Sequence, residues 1–146
     1  MLSITIPGAP IGKGRPRFAR AGAFIRTYTP DKTRLEEAFI RMVFNEKYPG
    51  HVPTGRGVTM AVRAYFPIPK STSKKLAVRM GAEDVPFLHK SDADNILKIC
   101  MDSLNGMAYE DDRLIYRAEV WKYYSLRPRL EIDIREQDDL TEIKVA

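Results

Sequence analysis

The stretch from His89 to Asp112 constrains the fold of this chain more than any other. In Lys90-Ser91-Asp92-Ala93-Asp94-Asn95-Ile96-Leu97-Lys98, two acids alternate in a segment that reads as extended. Residues two apart on a strand share a face, so Asp92 and Asp94 aim at one point. A helix follows, with Asp94 as a suitable N-cap residue. Its period sets Asn95, Lys98, Asp102 and Asn105 on one polar line, opposite an apolar band of Ile96, Leu97, Cys100, Met101 and Leu104. Gly106 fits the C′ position. Glu110-Asp111-Asp112 then returns in a short loop ahead of a strand-like run, bringing a third carboxylate back toward the first two.

With 146 residues, 44% of them hydrophobic, the chain supports one well-formed core and is short for two. One domain over residues 1–146 is expected, with residues 137–146, which show no period, loosely held or used in a partner contact. A formal charge of +5 and a pI of about 9.4 favour a polyanionic partner. Distribution says more than the total. Residues 1–26 carry Lys13, Arg15, Arg17, Arg20 and Arg26 and no acid, whereas residues 83–112 carry eight acids against Lys90 and Lys98. A basic clamp beside an acidic pocket is what phosphodiester chemistry requires, because phosphates must be drawn in and a divalent metal held. The single cysteine, Cys100, falls on the apolar band and is expected to be a buried small hydrophobe. Neither a signal-peptide core nor a run of roughly 18 apolar residues is present, so a cytoplasmic setting and no membrane partner are expected.

Along the chain, Leu2, Ile4 and Ile6 alternate as an opening strand. A Gly-, Pro- and Arg-rich stretch follows, and its second half, Arg17 to Tyr28 around Ala21-Gly22-Ala23, forms a small hairpin by pattern. Thr29-Pro30 starts a helix with Pro at the first helical position, and Leu35, Ala38, Phe39, Met42 and Val43 supply its apolar stripe up to Pro49-Gly50. A strand is expected at about 58–66, and a short basic helix capped by Ser71 or Ser73 and ended by Gly81. Residues 114–123 and 130–134 read as an antiparallel hairpin turned at 125–128, with Trp121 in the core. The order β, α, β, α, α, β, β describes an α+β (α/β-like) domain, a mixed sheet with helices packed on it.

Acids often do no more than cap helices and fill turns. Here alternating acids enter a helix, a lysine stands one turn on, and an acidic pair returns after the helix, which makes a metal site from Asp92, Asp94 and Asp112 plausible. Hard ions such as Mg²⁺ take carboxylate oxygens and keep waters that supply a nucleophile, and joint coordination at about 2.0 to 2.1 Å demands that the three carboxylates converge. Lys98 is placed to offset charge on a phosphate, or else simply pairs with Asp94. Asn95 can orient a carboxylate, and Asp102 reads as a structural or supporting acid. Asp111 and Asp112 cannot be separated by spacing. Gly12-Lys13-Gly14-Arg15-Pro16-Arg17 lacks the Gly-Lys-Ser/Thr ending of a P-loop, so no nucleotide cofactor is expected. A basic loop gripping a DNA backbone fits better, through Lys13, Arg15, Arg17 and Arg20 together with Lys90. Phe18, Phe24 and Tyr28 either stack or wedge against bases or join the core. His51 and His89 show no zinc-like spacing.

The run from Lys90 to Lys98, with Asp102-Ser103-Leu104-Asn105-Gly106 and Glu110-Asp111-Asp112, resembles the RusA family of Holliday junction resolvases. Gly12 to Phe18 and Thr27-Tyr28-Thr29-Pro30 resemble the amino-terminal part of its phage and Gram-positive branch. The likeness spans Met1 to about Arg135 and implies a Mg²⁺-dependent endonuclease, with Mn²⁺ substituting. It would act as a homodimer that resolves four-way DNA junctions by two symmetric nicks, in recombination and repair. By matching position the resemblance makes Asp92, Asp94 and Asp112 the metal ligands and Lys98 the catalytic cation, with Asn95 and Asp111 in support. Ala93 stands where larger apolar residues are common, and the tail after Arg135 departs from the pattern. Two other readings compete: a non-catalytic basic nucleic-acid-binding module, and a nuclease for other branched DNA such as flaps or forks.

Overall fold

The computed structural model describes residues 1–28 and 30–137, with Ala21 and Tyr28 described by backbone alone. In chain order the elements are β1 (Leu2–Pro7), β2 (Arg17–Ala21), β3 (Phe24–Tyr28), α1 (Asp31–Lys47), β4 (Val58–Pro67), α2 (Lys74–Gly81), α3 (Ala93–Ser103), β5 (Ile115–Ser125) and β6 (Arg129–Glu136). The expected α+β class and element order are present. Thr29 and most of the tail, residues 138–146, lie outside the described residues.

The alternation at Val58, Met60, Val62 and Ala64 becomes the inward face of β4, which is central because both its edges are paired. The main sheet runs β1-β6-β4-β5, with β6 antiparallel to β1 and β4, and β5 parallel to β4. The expected hairpin between residues 114–123 and 130–134 therefore does not form. Its strands do run in opposite directions, but β4 lies between them, and residues 126–128 step across the end of β4 at Pro67. Alternation states which face of a strand is buried and leaves its neighbour open. It also misplaced Trp121, which stands opposite Arg63 on the outer face while Val120 and Tyr124 take the inward positions.

One face of this sheet holds the core: Ile4, Ile6, the inward residues of β4, and Leu130, Ile132 and Ile134. On it α1 packs over β1, α3 over β5, and the two helices meet each other. The outer face is a charged lattice in which Arg63 binds Glu131 at 3.2 Å and Asp133 at 3.0 Å, and the Arg129 guanidinium stacks 3.8 Å from the Tyr65 ring. Pro30 is the N-cap of α1 and not its first helical residue as expected, so the helix opens one residue later, at Asp31. The buried face of α1 is Thr33, Ile40 and Phe44, flanked by Phe39 and Val43, while Leu35 is 72% exposed. At 100° per residue Glu37 falls in phase with Thr33, Ile40 and Phe44, so the inward face of α1 carries a carboxylate to α3. Ser73 caps α2, its hydroxyl accepting from the Leu76 N–H at 3.3 Å.

Candidate active site

Helix α3 begins at Ala93, two residues before the expected start. Asp92, not Asp94, is its N-cap residue, with φ −71° and ψ 146°, and the Asp92 carbonyl accepts from the Ile96 N–H at 3.1 Å. Asp94 therefore sits in the first helical turn instead of sharing an extended face with Asp92. The two acids still occupy one place, the helix N-terminus, where the macrodipole favours negative charge. The Asp92 side chain makes no capping hydrogen bond. Among the described residues none of Asp92, Asp94 and Asp112 joins a salt bridge.

Asp111 and Asp112, inseparable by spacing, are divided by local structure. The Asp111 carboxylate accepts from the Arg113 N–H at 2.9 Å and caps the short 3-10 turn Asp112–Leu114. Asp112 opens that turn with its side chain half-buried. The segment ahead of the turn is fastened to α3 by buried Tyr109, whose hydroxyl donates to the Met101 carbonyl at 2.6 Å. Burial first, then the neighbouring Cys100 sulfur and the negative charges of Asp112 and Asp102, push the Tyr109 hydroxyl well above its ordinary range, so it stays a donor. Cys100 is fully buried, and that burial raises its thiol pKa, which fits the core role expected of it.

The other wall of the site is the basic loop. The Lys13 N–H donates to the Asn95 carbonyl in the first turn of α3 at 2.8 Å, and the Gly14 N–H to Thr33 Oγ1 on α1 at 3.0 Å. A Cβ on Gly12 would meet Ser91 Cβ at 3.1 Å and Asn95 Cβ at 3.2 Å, tighter than ordinary contact, so with any side chain there the loop or the helix has to give by a few tenths of an ångström. Gly12→Ala is expected to push the loop off α3 and cost about 1–3 kcal/mol, the usual range for overpacking. Thermal melting checks it, and an unchanged melting temperature would contradict the fit. Between loop and helix lies a groove of about 400 Å³, lined by Lys13, Arg15, Lys90, Ser91, Asp92 and Asn95. It adjoins a second of about 410 Å³ that adds Arg17 and Lys32. Arg20 lies farther out, on β2.

The Lys13 side chain does more than line the groove. Its Nζ stands 2.8 Å from Asp102 and 3.0 Å from Glu37, tying the loop to α3 and α1 together. Asp102 also binds Lys98 at 3.2 Å, so the motif lysine pairs one turn forward and not back to Asp94. Burial works against both charges, but the hydrogen bonds and opposite charges overcome it, lifting the Lys13 pKa and lowering that of Asp102. Sequence reasoning missed Glu37, although its phase with Ile40 and Phe44 was a usable signal.

As a donor set, three carboxylates suit a hard divalent cation. Their placement is looser than the expected convergence. Among the described residues no three His, Cys, Asp or Glu side chains gather closely enough to enclose an ion. Asp92 and Asp94 are exposed, and Asp112 is half-buried.

Residues 7–135 match the model of a protein family described as endodeoxyribonuclease RusA. The chain is also similar to the uncharacterized protein YqaN of Bacillus subtilis (strain 168), 33% identical over 137 residues that cover 92% of this chain and 96% of that one. Among the described residues no helix is long and apolar enough to cross a membrane. The matched span starts before the basic loop and ends in β6, taking in both walls of the groove and every aspartate placed above. On that match, the chain belongs to the RusA family of endodeoxyribonucleases.

Proposed function

We propose that this chain is a divalent-metal-dependent endodeoxyribonuclease that resolves four-way DNA junctions in recombination and repair. It would work as a homodimer, each subunit nicking one strand. The observation that carries the reading is the groove itself: Asp92, at the N-terminus of α3, lines it opposite a loop drawn from an acid-free stretch of sequence, with Asp94 two residues on in the first helical turn. Such a groove draws in a phosphate backbone and sets it beside carboxylates, an arrangement that is repulsive unless a cation lies between them.

Asp92, Asp94 and Asp112 would hold Mg²⁺, or Mn²⁺ in its place. The ion supplies charge neutralisation at the phosphate and a lowered pKa for attacking water. Asn95 and Asp111 would fix the backbone around these ligands, the first through its carbonyl to the basic loop and the second as the cap of the Asp112 turn. Lys98 would leave Asp102 for the phosphate and offset the charge that grows as the bond breaks. Arg15, Arg17, Arg20 and Lys90 would grip the backbone, with Lys13 holding the loop in register from behind.

The ungathered carboxylates favour a second reading, a basic DNA-binding module whose acids are structural. One experiment separates the two: a labelled four-way junction incubated with the protein in Mg²⁺ or in EDTA, beside flap and fork substrates. Nicks at paired positions in Mg²⁺ alone support resolution. Preferred cutting of flaps or forks moves the substrate, and salt-dependent binding without any cutting supports the module.

A further inference from the structure

We propose that the β2–β3 hairpin is the element that reads the branch point, with Phe18 and Phe24 inserted against bases whose stacking the junction interrupts. The assignment rests on the DNA-cutting reading above and names what part of the DNA this ribbon takes. The hairpin pairs only with itself, as a two-stranded sheet separate from the main one. Isolated two-stranded hairpins are marginal in water and need a surface to pack on. Yet Phe18 is 73% exposed, Phe24 76% and Ile25 71%, so these side chains do not join the core.

The register shows how the ribbon is built. Phe18 lies opposite Thr27 and Arg20 opposite Ile25, which sets those four on one face. Ala19 lies opposite Arg26 and Ala21 opposite Phe24, which puts Arg17, Arg26 and Phe24 on the other. Each face thus carries a phenylalanine and at least one arginine, and Gly22, at φ +62°, makes the tight turn between them. A partner for such a ribbon must be anionic and must offer apolar surface on both sides. The same ribbon of a second copy offers the same arginines, so ribbon-to-ribbon pairing is opposed by like charge. Intact duplex offers phosphates but hides the flat faces of its bases, whereas a branch point offers both, and aromatic side chains bind exposed bases by stacking. The ribbon also starts where the DNA groove ends, since Arg15, Pro16 and Arg17 line the outer cavity.

The test uses the full chain in EDTA, with a four-way junction carrying 2-aminopurine at its centre and a linear duplex of the same sequence. The wild-type protein should prefer the junction and raise the probe's fluorescence. Phe18→Ala/Phe24→Ala should weaken junction binding by about tenfold or more, the usual scale for losing stacked bases, and abolish the rise. Duplex affinity should stay within about twofold, because the arginines remain. Phe18→Trp/Phe24→Trp should restore both signals, which separates stacking from damage to the ribbon. Wild-type junction affinity and fluorescence in the double alanine variant would overturn the proposal. So would loss of self-association by sedimentation with DNA binding intact, which would make the ribbon a contact between copies. A wild-type protein that binds no branched DNA would instead sink the nuclease reading and this one with it.

Discussion

Asp94→Asn should give a folded protein that binds a four-way junction at least as tightly as the parent and cleaves it at least about 10²- to 10³-fold more slowly. That is the scale on which removing one charge-stabilising group at a reacting phosphate is felt. The substitution is nearly isosteric and falls on an exposed residue in the first turn of α3, outside every salt bridge described. Its structural cost is then limited to the favourable interaction of a carboxylate with a helix N-terminus, about 0.3–1 kcal/mol. Binding should hold or tighten because a negative charge facing phosphates disappears while Arg15, Arg17 and Lys90 remain. Asp111→Asn is the matched control. Asparagine caps as aspartate does, so the turn carrying Asp112 should persist and cleavage should fall far less. Gel-shift affinities, cleavage rates in Mg²⁺ and melting temperatures for both variants decide the matter. Equal loss of binding and cleavage in a folded Asp94→Asn protein would count against a metal-ligand role.

How much of this was legible in the sequence depends on what each signal encodes. Period and turn chemistry located the elements: Ser73, one of the two candidate caps, caps α2, and the small hairpin forms around Gly22. What failed was pairing and phase. The inward alternation of β6 is the same whether its neighbour is β5 or β4, so pattern alone does not distinguish the adjacent hairpin from the order that forms, with β4 between them. In α1 the large apolar residues Leu35 and Met42 stand exposed, whereas Ile40 and Phe44 are buried with Thr33 on the face that also carries Glu37 to Lys13. At the site, the acids were visible by type. Their division of labour was not, because capping is decided by backbone geometry: Asp92 took the cap position expected of Asp94, and Asp111 took the turn. Lys13 read as one more basic residue for DNA, and only the meeting of α1 and α3 shows that two carboxylates claim it.

Asp102→Ala should destabilise the protein by about 1–3 kcal/mol, less than a fully buried pair and more than a surface one, because it strands Lys13 beside Glu37 alone. The Lys13 and Asp102 side chains are 23% and 19% exposed, so solvent only partly replaces the lost partner. Lys13→Met/Asp102→Leu should recover part of the loss, since the lysine is no longer stranded and Glu37 keeps Arg41 as a partner at 3.6 Å. The pH dependence follows from the two shifts. Asp102 is lowered in the folded protein, so its contribution is present above the ordinary carboxylate range near 4 and is lost as pH falls through the folded value. Lys13 is raised, so its contribution is complete below the ordinary lysine value near 10.4 and is lost as pH rises through the folded one. The gap between wild type and Asp102→Ala should therefore be flat from about pH 5 to 10 and close on either side. Urea melts across that range measure it directly. The same variant frees Lys98 from its holder, so a drop in cleavage larger than the drop in folded fraction would mean that Asp102 aims the lysine as well as anchoring the loop. A pH-independent gap, or a double variant no more stable than Asp102→Ala, would show that the loop is held by its backbone hydrogen bonds to Asn95 and Thr33 and not by this pair of charges.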